Sequence, residues 1–378
     1  LLGVFSGLLP GIHSNTIASV LASLPISPEL FPYIIVAVLG AHLVFQFFPS
    51  IFLSIPDETV VASVLPGHRL ALAGKGREAV TVCVSSVLLS AGASALLLPA
   101  ALAVLPAIYS FVQPNTAIIL VAASAYLLST EKEAEKISLA AFVFMLAGAL
   151  GAVSLRGPIN DSLFPAFSGL FAASGILLSF TSSRAVPKQK SEETKLDFLP
   201  FVALGILFGM LSDLLPGIAA PAQIAVFASA FVAVENDARK FLALVSSIAA
   251  SHAVFAFGAL VSIGKAREGA LAIANEMQPI MPGNLPALVG VFLLAIGVSS
   301  FLLLLLAKRA DLLREFDLHK VNLAILAYLT IAVAIISGAA GLLLFATATA
   351  IGILPPLLGI RRTHVMGLII IPSIILAV

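Results

Sequence analysis

Two short stretches of this chain place polar side chains where its surroundings are almost wholly apolar. The first, Pro10-Gly11-Ile12-His13-Ser14-Asn15-Thr16, opens an apolar helix predicted over Ile17 to Leu24. A helix start leaves about four backbone N–H groups unpaired and carries roughly half a positive charge, so it favours an anion. The hydroxyl and amide groups beside it can bond a carboxylate or phosphate, or offer oxygens to Na⁺; N-capping by Ser14 or Asn15 is the structural alternative. The second stretch, Asp213-Leu214-Leu215-Pro216-Gly217, leads to a tip in which only Gln223 offers a side-chain amide, so the first is the richer ligand site. An acid inside an apolar segment marks an ion or proton path, which makes Asp213 a coupling-ion candidate, with capping at the interface as its other use. Asp57, directly after Pro56, is the second such candidate.

Mid-segment histidines add to this set. His42 has Gln46 one helical turn later, and His252 has Ser251 beside it and Ser247 nearby. Paired histidines can relay protons or bond substrate, where a single one more often packs as a satisfied core residue. No third metal ligand follows from their spacing, so no metal site is expected. Phosphate loops, GxSxG, HExxH and CxxC motifs do not occur in the sequence, which argues against an enzyme and leaves ion gradients as the driving force.

The elements that must position these groups are membrane helices. Of 378 residues, 60% are hydrophobic and 10% charged, with a mean hydropathy of +1.13, whereas a soluble domain carries roughly 25% charged residues. The apolar runs are long enough to cross a bilayer, which takes about 20 residues. They include Phe31 to Ile55, Ala79 to Ile108, Ile137 to Leu155, Leu163 to Phe180, Phe198 to Leu215, Phe241 to Ile263, Leu285 to Ala307 and Val321 to Ile336. These runs are apolar on every face, not alternating, which excludes barrel strands. The expected fold is an all-α polytopic membrane protein. A net charge of +1 gives no case for nucleic acid, and the lone Cys83 can form no intrachain disulfide. Because the chain opens Leu1-Leu2-Gly3 inside an apolar stretch, we expect its natural start to lie upstream.

The sequence repeats itself. Gly7-Leu8-Leu9-Pro10-Gly11-Ile12 returns as Asp213-Leu214-Leu215-Pro216-Gly217-Ile218, an offset of 206, and His42-Leu43-Val44-Phe45-Gln46-Phe47 returns as His252-Ala253-Val254-Phe255-Ala256-Phe257, an offset of 210. Two blocks in the same order predict a duplicated unit, residues 1–180 and 197–378, joined by a polar linker over 181–196 outside the bilayer.

Each unit begins with a segment broken at Pro-Gly, which either crosses the membrane or turns back as a hairpin. Lys and Arg concentrate in short cytoplasmic loops, and this decides between the two. With hairpins, 17 of the 20 Lys and Arg residues fall on one side, leaving Arg156, Lys265 and Arg267 opposite; with full crossings the split is about 11 to 9. The expectation is two inverted-topology repeats, each a Pro-Gly-tipped hairpin plus about five transmembrane helices. A substrate site would then sit near the midplane, between the tips.

At Gly7 to Thr16, Ser54 to Ala79 and Asp213 to Gln223 the chain resembles the TctA family, the large membrane subunit of tripartite tricarboxylate transporters. Its first Pro-Gly copy and the basic Ala73-Gly74-Lys75-Gly76-Arg77-Glu78 segment are the residues that carry the likeness. The shorter length looks most like an archaeal TctA-like branch. The resemblance implies a secondary transporter in the cell membrane that takes up an organic carboxylate by Na⁺ or H⁺ symport, with no other cofactor. It also implies a small membrane subunit and an extracytoplasmic binding protein as partners, and a homodimer is compatible with it. The first motif carries His13-Ser14-Asn15 where the family is richer in glycine, and Asp57 follows Pro56, which puts a citrate-like substrate in question. Pro10 to Thr16 also looks like the PGxSGGT motif of polyprenyl-phosphate translocases, which would make the substrate a lipid phosphate. An intramembrane enzyme acting on lipid phosphate is the remaining alternative, with His13, Ser14, His42, His252 and Asp213 as its only candidate groups.

Overall fold

In the computed structural model, residues 1–9, 14–53, 64–159, 161–179, 187–190, 196–214, 237–315 and 317–377 are described, and every regular element among them is helical. The first half comprises α1 (Leu2–Leu8), α2 (Ser14–Ala22), α3 (Phe31–Phe45), α4 (Phe47–Leu53), α5 (Val64–Leu72), α6 (Gly76–Ser129) and α7 (Ala134–Ser154). It ends in α8 (Leu163–Phe167), which continues through a π-helical stretch, Ser168–Ala173, into α9 (Ser174–Ser179). The second half holds α10 (Leu199–Ser212), α11 (Ala238–Ile263), α12 (Gly269–Met277), α13 (Leu285–Lys308), α14 (Leu318–Leu358) and α15 (Gly367–Ala377). The protein is an all-α polytopic membrane protein: among the described residues six helical stretches are long and apolar enough to span a bilayer, and shorter apolar helices accompany them.

Two helices run further than the apolar runs suggest. The helix α6 continues for 54 residues through Pro99, Pro106 and Pro114. Polar residues that look like a loop in the sequence bond back to their own turn, Ser110 Oγ to Ala107 O at 2.8 Å and Asn115 Nδ2 to Phe111 O at 2.7 Å, so they need no exit to water. The helix α14 is 41 residues long but broken at Gly338, whose φ of 65° and ψ of −161° fit glycine alone. Residues from both halves of α14, Leu329 and Val333 before the break and Phe345 after it, share one small core cluster with Ala172 and Ala173.

Glycines set how the inner helices meet. The helix α10 lies along α11 so closely that a Cβ on Gly205 would stand 2.4 Å from Ser247 Cβ, and one on Gly209 would stand 2.5 Å from Ser251 Cβ. Small residues at such contacts let membrane helices approach to backbone distance. The numbering rises together along both helices, so they run parallel, and the chain is back at the starting end of α10 when α11 begins. The first half repeats this contact. Gly3 meets Val38 O and Ala41 Cβ of α3, just as Gly209 meets Ile248 O and Ser251 Cβ of α11.

Burial separates inner from outer helices. In the most apolar window, α3–α4 is 83% and α11 94% enclosed by protein, against 33–39% for α6, α7, α13 and α14. The outer helices turn large apolar side chains outward, Leu96, Val153, Leu294 and Ile335 among them, as a lipid-facing surface requires. Hydrophobic packing does not follow the two sequence repeats. The largest cluster joins residues 17–105 to residues 198–310, and a second joins residues 127–170 to residues 344–370, so each half of the chain contributes to both. The helix α6 belongs to both clusters and ties them together.

Polar contacts gather at one end of the larger bundle. Arg77 pairs with Asp311 and donates to Lys308 O at 2.9 Å, while Arg239 pairs with Glu78 at 3.3 Å and Asp197 at 3.1 Å. Part of the expected linker is not solvated but built into this end. The Gln189 side chain accepts from Gly76 N at 2.7 Å and donates to Ala71 O at 3.1 Å, and its backbone N–H reaches Asp311 at 2.9 Å. At a separate contact Glu131, between α6 and α7, takes Arg361 N at 3.0 Å and His364 Nε2 at 2.9 Å.

Replacing Gly209 with leucine should push α10 off α11 and cost about 1–3 kcal/mol of overpacking. Gly290 on α13 meets nothing within 4 Å, so G290L is the matched control. Thermal unfolding in detergent should fall for G209L and stay near the parent for G290L.

Candidate functional site

The inner helices carry the polar groups of the membrane interior. His42 on α3 and His252 on α11 are each 2% exposed, and each ring is held from behind by a serine one helix away. Ser6 Oγ lies 3.0 Å from His42 Nδ1, and Ser212 Oγ lies 3.0 Å from His252 Nδ1. Ser6 and Ser212 stand at the offset of 206 that relates the two Pro-Gly motifs, so the two Ser–His pairs are equivalent in sequence and in geometry. Fixing Nδ1 in this way aims Nε2 of each ring away from the serine.

One position separates the halves. Where the first has Gly7, packed against His42 O and Phe45 Cβ, the second has Asp213. Asp213 ends α10 and is fully buried, with Oδ1 3.0 Å from His252 Nδ1. On the opposite side of the same ring, Glu268 Oε2 lies 3.6 Å from Nε2. Glu268 reaches this depth because the chain reverses after α11: Gly264, at φ 65°, caps the helix in the left-handed conformation and turns the loop back into the bundle. Arg267 completes the loop, its Nε donating to Asp213 O at 2.9 Å while its guanidinium lies 5.8 Å from the centre of the Tyr109 ring. Two carboxylates and an imidazole thus meet in a place from which water is largely excluded.

These groups open onto a narrow cavity lined by Ser14, Leu39, His42, Leu43 and Gln46 from the first half and Ala249, His252, Ala253 and Glu268 from the second. Ser14, the first residue of α2, brings that helix start to the cavity. Asn15 packs beside it against the backbone at Gly269, where a Cβ would lie 2.8 Å from Asn15 Nδ2. Five residues expected at a site therefore come together: Ser14, His42, Gln46 and His252 on the cavity and Asp213 behind it. Thr16 is half-buried on α2 and is not among the lining residues, and Ser251 faces Gly209, where its small size permits the α10–α11 approach. Pro10, Gly11, His13, Asp57, Pro216, Gly217 and Gln223 lie outside the described residues. Ser6, Ser212, Arg267 and Glu268 are the members that sequence reasoning passed over. Ser6 and Ser212 extend the matched Pro-Gly blocks by one position and could have been found there; Glu268 sits in a short charged loop that reads as solvated.

A polytopic helical protein that holds ionisable groups on its most enclosed helices, open to a cavity between the two halves of the chain, has the make-up of a membrane transporter. The profile of the tripartite tricarboxylate transporter TctA family matches residues 1–367, and the chain belongs to that family. It is a permease of the tricarboxylate-transporter type. An uncharacterised protein of Methanocaldococcus jannaschii is 27% identical over 398 aligned positions, covering 99% of this chain and 96% of that protein. No solved structure matches.

The approach of α2 to α12 is open to a direct check. Cβ atoms at positions 15 and 269 are close enough for the roughly 3.5–4.5 Å separation a disulfide needs. With Cys83 replaced by alanine, the pair N15C and G269C should cross-link under mild oxidation, and N15C with G290C should not, as read by mobility after cleavage at a protease site introduced between the halves.

Proposed function

We propose that this protein is a secondary transporter of the cytoplasmic membrane that carries an organic carboxylate of the di- or tricarboxylate kind, coupled to a cation. The observation that carries this is the cavity in which Ser14, His42 and Gln46 from one half face His252 and Glu268 from the other. Ser14 and the N-terminus of α2 supply hydroxyl and N–H donors suited to a carboxylate, and His42 and Gln46 add donors across from them. Asp213 and Glu268 lie on either side of His252, where a cation would balance their charge. Family membership supports a carboxylate as cargo, and it supports a small membrane subunit and an extracytoplasmic binding protein as partners.

Two broken segments entering from opposite faces, in repeats of inverted topology, form the transport path on this reading. Parallel packing of α1 on α3 and of α10 on α11 supports segments that enter and turn back. The contacts joining Gly74–Arg77, residues 187–190, Arg239 and Lys308–Asp311 support one cytoplasmic end for those cationic stretches. A lipid-phosphate substrate would need a groove open to the bilayer, and the cavity lies instead between the two helices most enclosed by protein.

Reconstituted protein on a solid-supported membrane should give currents with di- or tricarboxylates, and no current or binding with any carboxylate would remove the proposal. S14A and Q46A should each raise the half-saturating concentration roughly tenfold, the worth of one hydrogen bond to a charged group. Cysteines replacing the exposed Ala73 and Arg309 should react with an impermeant reagent from the same side of the membrane; labelling from opposite sides would overturn the inverted arrangement.

A further inference from the structure

We propose that Asp213, His252 and Glu268 form a proton-carrying relay, that the coupling ion is therefore a proton, and that a substrate carboxylate binds only when this relay holds its extra proton. The proposal rests on the carboxylate-transporter reading above and assigns the coupling chemistry of that site.

Charge balance is the first step. Asp213 and Glu268 are 0% and 6% exposed, and among the described residues the cations beside them include His252, at 3.0 and 3.6 Å, and Arg267, whose Nε is tied to the Asp213 main chain. With His252 protonated, two negative charges meet two positive ones and the cluster is neutral. An anionic substrate against Ser14 and His42 would then add an uncompensated charge beside Glu268, in a place where an unpaired ion is expensive. One further proton, taken up by Glu268 through His252, makes the cluster positive by one and restores neutrality when the carboxylate arrives. Substrate and proton thus raise each other's affinity, and linkage makes the effect reciprocal. In transport one proton enters from the aqueous side with each substrate molecule, and both leave together on the other side.

The donors at the cavity argue for a proton over Na⁺. Hard cations take shells of oxygen ligands, whereas here two imidazole rings occupy opposite walls and one of them stands between the two carboxylates. With Ser212 Oγ and Asp213 Oδ1 each 3.0 Å from Nδ1 and Glu268 Oε2 3.6 Å from Nε2, the imidazole stands between two proton acceptors, the placement a proton shuttle needs.

Among the described residues, the remaining elements packed on α11 contribute no competing charge at His252. From α3, His42 faces it across the cavity, with Ser6 on Nδ1 and Gly7 at the place of Asp213, so the first half presents a polar ring without that carboxylate. On α6, Cys83 lies beside Ser246 and Tyr109 lies under Arg267. On α5, His68 is bonded to Ile51 O at 3.0 Å, and α13 has no ionisable residue from Leu285 to Ala307.

Two measurements test this, one of them independent of any substrate. In detergent, H252Q should lower the unfolding temperature because it leaves two buried carboxylates facing each other. Adding E268Q to H252Q should recover part of that loss, or yield folded protein if H252Q alone does not fold; a double variant no more stable than H252Q would overturn the relay. In proteoliposomes, an inward proton gradient without Na⁺ should drive accumulation of a dicarboxylate. Its apparent affinity should tighten about tenfold per unit fall in pH, the signature of one linked proton, and D213N and E268Q should abolish gradient-driven accumulation. Uptake driven by Na⁺ and indifferent to a proton gradient would overturn the proposal while leaving the carboxylate reading intact, whereas rescue in detergent without transport of any carboxylate would refute that reading and keep the charge cluster.

Discussion

Two carboxylates within reach of one imidazole, inside a bundle surrounded by hydrocarbon, is the arrangement on which the rest of this structure depends. A charged side chain at the centre of a lone membrane helix costs roughly 3 kcal/mol on insertion scales, so the group must be neutralised and kept from lipid. The structure meets both needs. Asp213 and Glu268 close on His252 from two sides, and α11, which carries His252, is the most enclosed of the spanning helices. Enclosure in turn depends on Gly205 and Gly209, because α10 can bring Asp213 to the ring only if the backbones nearly touch.

The same constraint explains the division into outer and inner helices. Long, evenly apolar helices such as α6 and α14 can face lipid because their few polar side chains bond back to their own carbonyls, as Thr116 and Thr330 do at 3.0 and 2.8 Å. Short elements that end within the bundle cannot, since a helix end leaves N–H or C=O groups to be satisfied by something other than lipid. They lie inside, where the ends of α2 and α10 and the loop before α12 converge on one cavity. By joining the early parts of both halves in one cluster and the later parts in another, the chain builds a site-bearing bundle and a flanking one with α6 common to both.

The membrane-helical fold was legible because it is written in composition and run length, and these are tertiary-independent. Six of the eight apolar runs we named coincide with observed helices to within a few residues, and α3–α4 does so with only a break at Gln46. The continuation of α6 past Ile108 was not legible, since whether Ser110 and Asn115 bond to water or to their own helix depends on surroundings. At the site, His42, His252, Ser14, Gln46 and Asp213 were legible from repetition and from polarity in an apolar context. Glu268 was not, because its loop folds back into the bundle after Gly264, and only the chain path decides whether a charged loop faces water or protein.

Repetition also shows where the two halves have parted. Both keep a serine on the histidine Nδ1 and a glycine at the crossing of their first helix, Gly3 and Gly209, so the scaffold of the two Ser–His pairs is common. Glycine at position 7 allows α1 to sit directly against His42 O, whereas aspartate at 213 gives up that contact for a charge beside His252. The sequence after each Pro-Gly is more polar in the first half, His13-Ser14-Asn15-Thr16 against Ala219-Ala220-Pro221-Ala222. The cavity therefore has Ser14, His42 and Gln46 on one wall and an ionisable cluster on the other. Neither half by itself contains both parts, so they meet only where the two halves face each other.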